Sequence, residues 1–211
     1  MWDVMLKATG ETMYMVFFST FFSVILGFIP AIILTLTAPD GLKPNRAVYQ
    51  VLDFLINTFR SFPFIILIVL IIPFTRLIAG TSLGATACIV PLTVSAIPFV
   101  ARVMETSLRG VDKGLIEAAK SFGATDFQII FKVYLKEAFP GILSGITLTL
   151  ISLVGYSAMG GAVGAGGLGD VAIRRGYQAY NITYLIVTSL ILIVFVQIVQ
   201  NIGNWIYKKL S

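Results

Sequence analysis

Three stretches of this chain carry residues whose types and spacing could do chemistry. Glu117-Ala118-Ala119 is followed by Gly123-Ala124 in a charged segment. Tyr156 to Asp170 contains Gly160, Gly161, Gly164, Gly166, Gly167 and Gly169. Arg60 borders apolar sequence, seven residues after Asp53 and on the same helical face. A glycine-rich run can cradle phosphate with its backbone N–H groups, but a nucleotide loop follows a strand and ends in Gly-Lys-Ser/Thr. This run ends Leu168-Gly169-Asp170 and has no strand pattern beside it, so ATP hydrolysis by that route is excluded. Histidine is absent, which removes the commonest metal ligand and general base. The one cysteine, Cys88, sits in an apolar segment and cannot form an intrachain disulfide. These residues read as a non-enzyme with no cofactor or metal of its own.

The elements that must position them are set by composition. Of 211 residues, 57% are hydrophobic and 12% charged, against about 25% charged in a soluble domain. The net charge of +5 is scattered between apolar runs and forms no basic face, which argues against nucleic acid. A bilayer core of ~30 Å needs roughly 20 apolar residues in helix. Uncharged windows at Thr12–Pro39, Ser61–Thr75, Leu77–Ala101, Ala138–Gly169 and Gly176–Tyr207 predict five membrane helices. We place them near 12–37, 57–78, 82–103, 139–158 and 182–206. The second window is short, so its helix must recruit flanking turns. The fold class is therefore an all-α polytopic membrane protein, read as one transmembrane domain over 1–211 with no internal repeat. Met1 to Glu11 carries Asp3, Lys7 and Glu11 and lacks the features of a signal peptide, so the first helix reads as retained.

Lys and Arg near the span ends set orientation. With the N-terminus outside, the inner segments hold Lys43, Arg46, Arg102, Arg109, Lys113, Lys120, Lys132, Lys136, Lys208 and Lys209. The outer segments hold Lys7, Arg76, Arg174 and Arg175. The bias places the C-terminus in the cytoplasm and requires an odd number of spans. The longest inner segment is 104–138. Asp112 can cap a short helix whose Leu115, Ala118, Ala119 and Phe122 form one apolar stripe, with Gly123 as its stop. Thr125 and Gln128 match a capping box that opens a second short helix. Such a stripe suits docking in a partner's groove, or lying on lipid headgroups.

Glu117-Ala118-Ala119 with Gly123-Ala124 and Gln128 resembles the EAA loop of ABC importer permeases. One position departs: Leu135-Lys136 stands where that family carries Leu-Pro, with Pro140 four residues on. The resemblance implies type I permease architecture. It makes this loop a coupling helix, with Glu117, Ala118, Ala119, Gly123 and Ala124 contacting a separate ATPase that holds ATP and Mg. Small alanines allow close approach, and glycine permits the reversal after the helix.

The glycine-rich run, Leu148 to Gly155, Arg60-Ser61-Phe62-Pro63-Phe64-Ile65-Ile66-Leu67, and Val90-Pro91-Leu92-Thr93-Val94 with Pro98-Phe99 resemble the membrane subunit of methionine ABC importers. That resemblance spans nearly the whole chain. It implies a multi-pass protein of the cell membrane and a homodimer over two ATPase subunits. It also implies an extracytoplasmic binding protein delivering methionine, D or L, to a path along the dimer axis. Import of another amino acid or an osmolyte is the alternative. A secondary transporter or channel would usually bring more spans, intramembrane acids or inverted repeats, and none is present. Tyr156, Ser157 and Met159, where helix four meets the glycines, could form a gate or simply pack. The glycines themselves could make a flexible re-entrant loop or, at Gly160 and Gly164, close helix contacts. Arg60 could serve the pathway or position the coupling loop, or snorkel to the inner surface paired with Asp53. Pro30, Pro63, Pro73, Pro91 and Pro98 permit kinks in the spans.

Overall fold

A computed structural model describes residues 1–210. The first helix, α1, runs Trp2–Thr37, ten residues earlier than the uncharged window predicts. Lys7 and Glu11 pair one turn apart, and Glu11 is tied to the glycine run, so charge does not stop the helix. At ~1.5 Å per residue α1 is longer than the ~30 Å apolar core, which leaves its charged first turns beyond it. Hydroxyls of Thr9, Thr20 and Thr35 donate back to carbonyls one turn earlier, the way such groups are satisfied where water is absent.

The second span departs from the single helix expected near 57–78. Helix α2 covers Arg46–Arg60, α3 Phe64–Leu70 and α4 Ile72–Ala79. Between α2 and α3 the axis turns by 99°. Pro63 is the cause: it has no N–H to donate to the preceding turn and disfavours helical backbone at Phe62. Pro73, at the start of α4, coincides with a second break at Ile71. Four helices among the described residues can cross a membrane by length and apolarity, or five when α2 and α3 count as one broken span.

Helix α5, Ala85–Arg109, is the centre of the structure. Pro91 and Pro98 lie inside it and are buried. Met15, Val16, Leu92, Ala96, Leu153 and Val154 form one core, and Ala31, Val100, Met104, Leu108 and Ile116 part of another nearer the end of α5. Burying side chains of this size is worth about 1.5–3 kcal/mol each in a soluble protein; between lipid-bathed helices close packing must supply more of it. Accordingly small residues sit at the crossings. A Cβ on Gly27 would press on Val100, and one on Gly203 would press on Thr147.

After α5 come α6, Lys113–Ser121, and α7, Asp126–Ile129. The fourth span, expected near 139–158 with a second short helix leading into it, begins earlier: α7 passes through one wide π turn, Ile130–Tyr134, into α8, Leu135–Gly160. The chain then makes a 3₁₀ turn at Gly161–Val163, a short α9 at Gly167–Asp170 and a π-helical segment Val171–Gln178. Helix α10, Ile182–Leu210, closes the fold; only Thr188 and Gly203 on it are buried. Its apolar remainder is left for lipid or another protein.

Candidate functional site: an exposed docking helix and the charged base that holds it

Helix α6 forms where the sequence predicts it. The Asp112 carboxylate accepts a hydrogen bond from the Gly114 N–H at 2.6 Å, satisfying one of the free donors of the first turn. The helix stops at Gly123, whose φ of +76° is readily adopted only by glycine. The Phe122 and Ala124 N–H groups close the end on the Ala118 and Ala119 carbonyls at 3.1 Å each. Thr125 and Gln128 form the reciprocal capping box, at 3.3 and 2.9 Å.

The expected apolar stripe divides in two. Ile116 is buried against the lower core and Ala119 is half-buried. Leu115, Ala118 and Phe122 face out, and Phe122 is 90% exposed. Glu117 is exposed, and its carboxylate has no partner among the described residues. Ala124 is half-buried at the turn. Helix α6 thus holds itself to the body by one face and presents a small, partly apolar surface with the other.

A charged lattice fixes α6 to its surroundings. Asp40, in the turn after α1, receives Arg109 Nη2 on one oxygen and Lys113 Nζ on the other, both at 3.0 Å. The Lys113 ammonium holds the Asp40 carboxyl below the usual carboxylate range; partial burial opposes this and the Arg109 charge adds to it. Lys43 reaches Asp126 at 3.1 Å, tying the same turn to α7. Glu105, 2% exposed, lies between Arg102 at 2.7 Å and Arg109 at 3.6 Å and accepts from the Tyr49 hydroxyl at 3.3 Å. Arg102 also binds Asp53, and reaches Asn57 at 3.1 Å.

Asp53 therefore pairs with Arg102, not with Arg60. Arg60 stands exposed at the end of α2, just before the bend, and makes no ion pair among the described residues. Sequence reasoning counted Arg102 and Arg109 only as positive charge at a membrane surface and passed over Glu105. The signal was present: Arg102, Glu105 and Arg109 stand at i, i+3 and i+7 on one helix face, which puts each arginine within a turn of the glutamate.

At the other end of α8, Tyr156 is half-buried and stacks on Phe64 with ring centroids 4.9 Å apart and planes 11° from parallel. Ser157 is buried, and its hydroxyl donates to the Val154 carbonyl at 2.7 Å. Met159 is 49% exposed. The glycine run is pinned rather than loose. The Gly167 N–H donates to Glu11 Oε2 at 2.8 Å, the Leu168 N–H to Thr12 Oγ1 at 2.9 Å, and the Gly84 N–H to the Gly164 carbonyl at 2.9 Å. No metal-ligating cluster occurs among the described residues.

The fold is all-α with helices enough to cross a membrane several times, and its likeness to known chains makes it a permease of type I architecture. Residues 23–211 match the family described as the binding-protein-dependent transport system inner membrane component, and the chain belongs to that family. It is 51% identical to the probable D-methionine transport system permease protein MetI of Vibrio cholerae, over 99% of this chain and 93% of that protein. It is 45% identical to the methionine import system permease protein MetP of Bacillus subtilis, over 95% and 90% of the two chains. Its structure superposes on a chain of the MetNI methionine ABC transporter in an inward-facing conformation with a TM-score of 0.98 and 45% identity, covering 100% and 98% of the chains. A chain of an amino acid ABC transporter crystallised with histidines shares the fold alone, at TM-score 0.81 and 19% identity.

Proposed function

We propose that this chain is the membrane-spanning subunit of an ATP-driven importer that carries methionine, D or L, into the cell. The observation that carries the reading is its similarity, over almost the full length, to permeases named for methionine. Two copies form the transport unit, with the path along their shared axis and the N-terminus outside. A binding protein on the outer side delivers the solute.

Two ATPase subunits bind ATP and Mg on the cytoplasmic side and do the hydrolysis. The outward face of α6 docks on them: Ala118 and Ala119 permit close approach, Gly123 sets the reversal, Ala124 closes the turn, and the unpartnered Glu117 accepts donors from the ATPase. Tyr156, Ser157 and Met159 form the gate at the far end of α8, with Tyr156 stacked on Phe64 of the broken span. Exposed Arg60 lies at the bend that separates that span from α2.

The test is uptake in liposomes carrying this chain and its ATPase partner. Labelled methionine should accumulate only with ATP inside and the cognate binding protein outside. Uptake of another amino acid or an osmolyte in place of methionine would retain the importer and discard the solute assignment.

A further inference from the structure

We infer that Glu105 is a positioning residue of the transport cycle, whose buried carboxylate ties the docking helix α6 to α2 and so to the broken span that carries Phe64. This rests on the docking role proposed for α6.

Glu105 lies one turn before the end of α5 and is closed off from solvent. Its two cationic neighbours reach in opposite directions. Arg102 extends to Asp53 and Asn57 on α2, and Tyr49 of α2 meets Glu105 itself. Arg109 extends to Asp40, whose second oxygen holds Lys113, the first residue of α6. Glu105 holds both guanidiniums, and the Tyr49 hydroxyl that donates to it also accepts from Arg109 Nη1 at 3.3 Å, so the two halves meet around this carboxylate. Without its charge Arg102 would keep only Asp53 and Arg109 only Asp40, and the link between the two pairs would be lost.

Packing gives no reason for a carboxylate here. Met104 and Leu108 fill the adjacent core positions, and an apolar side chain in place of a buried ion pair is often neutral or better for stability. What the network supplies is a fixed geometry at its centre, because a slip that parts Glu105 from its guanidiniums leaves a buried charge unpaired. A displacement of α6 imposed by the ATPase moves Lys113 and Asp40, and Arg109, Glu105 and Arg102 carry it to α2. Helix α2 ends at the bend before Pro63, and Phe64 beyond that bend stacks on Tyr156.

E105Q keeps the shape and removes the charge. In liposomes with the ATPase, it should assemble and hydrolyse ATP as the unaltered chain does, yet move ~2- to ~30-fold less solute per ATP, the range expected for a residue along a coupling route. A cysteine placed at exposed Phe59 on α2 should change its thiol-labelling rate on ATP binding, and should lose that response in E105Q; native Cys88 is buried and stays silent. E105D, which keeps the charge, should recover part of both. D53N, at the α2 end of the same link, removes the charge that Arg102 grips without touching Glu105, and decides it should E105Q fail to assemble. Unchanged solute per ATP and an unchanged labelling response in D53N and in assembled E105Q would overturn the inference. A complex whose labelling response is lost in E105Q but which takes up no methionine would sink the solute assignment and leave Glu105 supported.

Discussion

Asp40 and Lys113 meet at 3.0 Å, which fixes the first residue of α6 to the turn that follows α1. The contact explains how a nine-residue helix keeps a defined position at the edge of a membrane body. Isolated helices that short are marginal in water. Helix α6 is held instead by the buried Ile116 below and by a charge pair at its start.

Replacing Asp40 with asparagine should weaken that anchor modestly, because both partners are more than a third exposed and such pairs are worth about 0.2–1 kcal/mol. The sign of its pH dependence is fixed. A carboxyl held below its unfolded value stabilises the fold above that value, and the contribution is lost as pH falls through the folded value. The difference in melting temperature between the unaltered chain and D40N should therefore be constant from pH 5 to 8 and vanish only below about pH 4. A difference that disappears near pH 7 would show that another group controls the anchor.

Gly123 should be sensitive through its backbone rather than its surroundings. A Cβ there would meet nothing within 4 Å, but its φ of +76° lies in the left-handed region. Gly123→Val should cost roughly 1–2 kcal/mol and displace the turn that orients α6, lowering co-purification with the ATPase. Gly123→Asn, which tolerates that backbone, should keep most of it. Equal loss in both would point to side-chain contact with the partner as the cause.

Phe122 is a large aromatic group left 90% exposed at the tip of α6. Its removal cannot harm a core it does not enter. Phe122→Ser should leave the melting temperature of the isolated chain within a degree or two and weaken binding to the ATPase by about 2 kcal/mol or more, as central aromatic anchors do. Binding measured by titration of labelled permease against ATPase decides it, and undiminished affinity would place the docking face elsewhere.

How much of this was legible in the sequence depends on which force sets each feature. The caps of α6 and α7 were readable because Asp112, Gly123, Thr125 and Gln128 act within a turn of themselves. Spans one, three and five followed from uncharged windows, since lipid imposes a minimum length. The second span was misread because hydropathy averages across Pro63, where a local backbone constraint breaks the helix. The α5 part of the Glu105 network was legible in its spacing, but Tyr49, Asp53 and Asp40, which complete it through Glu105, Arg102 and Arg109, are remote in sequence and only the fold assembles them. The glycine run reads in the sequence as a flexible loop or a close helix contact, because its bonds to Glu11 and Thr12 join segments 156 residues apart.

The Phe64–Tyr156 stack should tolerate loss of the hydroxyl and not of the ring. Tyr156→Phe keeps the ring, and the phenolic oxygen has no partner among the described residues. Tyr156→Ala removes a ring pair worth about 0.5–1.5 kcal/mol beyond its area and frees Phe64 at the start of α3. Uptake should be near normal in the first variant and leak or fall in the second. Failure of Tyr156→Phe alone would assign the work to the hydroxyl.

Two glycines near the end of α8 should respond in opposite ways to the same added methyl. Gly155 lies exposed within α8, and a Cβ there meets nothing within 4 Å. Alanine is the better helix former by about 1 kcal/mol, so Gly155→Ala should be neutral or slightly stabilising. Gly161 begins the 3₁₀ turn and packs directly on the backbone of Gly169 and Asp170, where a Cβ would overlap. No side chain can rotate aside there, so α9 itself must shift, pulling on the bonds from Gly167 and Leu168 to Glu11 and Thr12. Gly161→Ala should therefore destabilise the chain by roughly 1–3 kcal/mol and loosen the first turns of α1. Thermal unfolding in detergent, with proteolysis near Glu11 as the local readout, separates the two; equal melting temperatures would show that the run yields where the structure holds it tight.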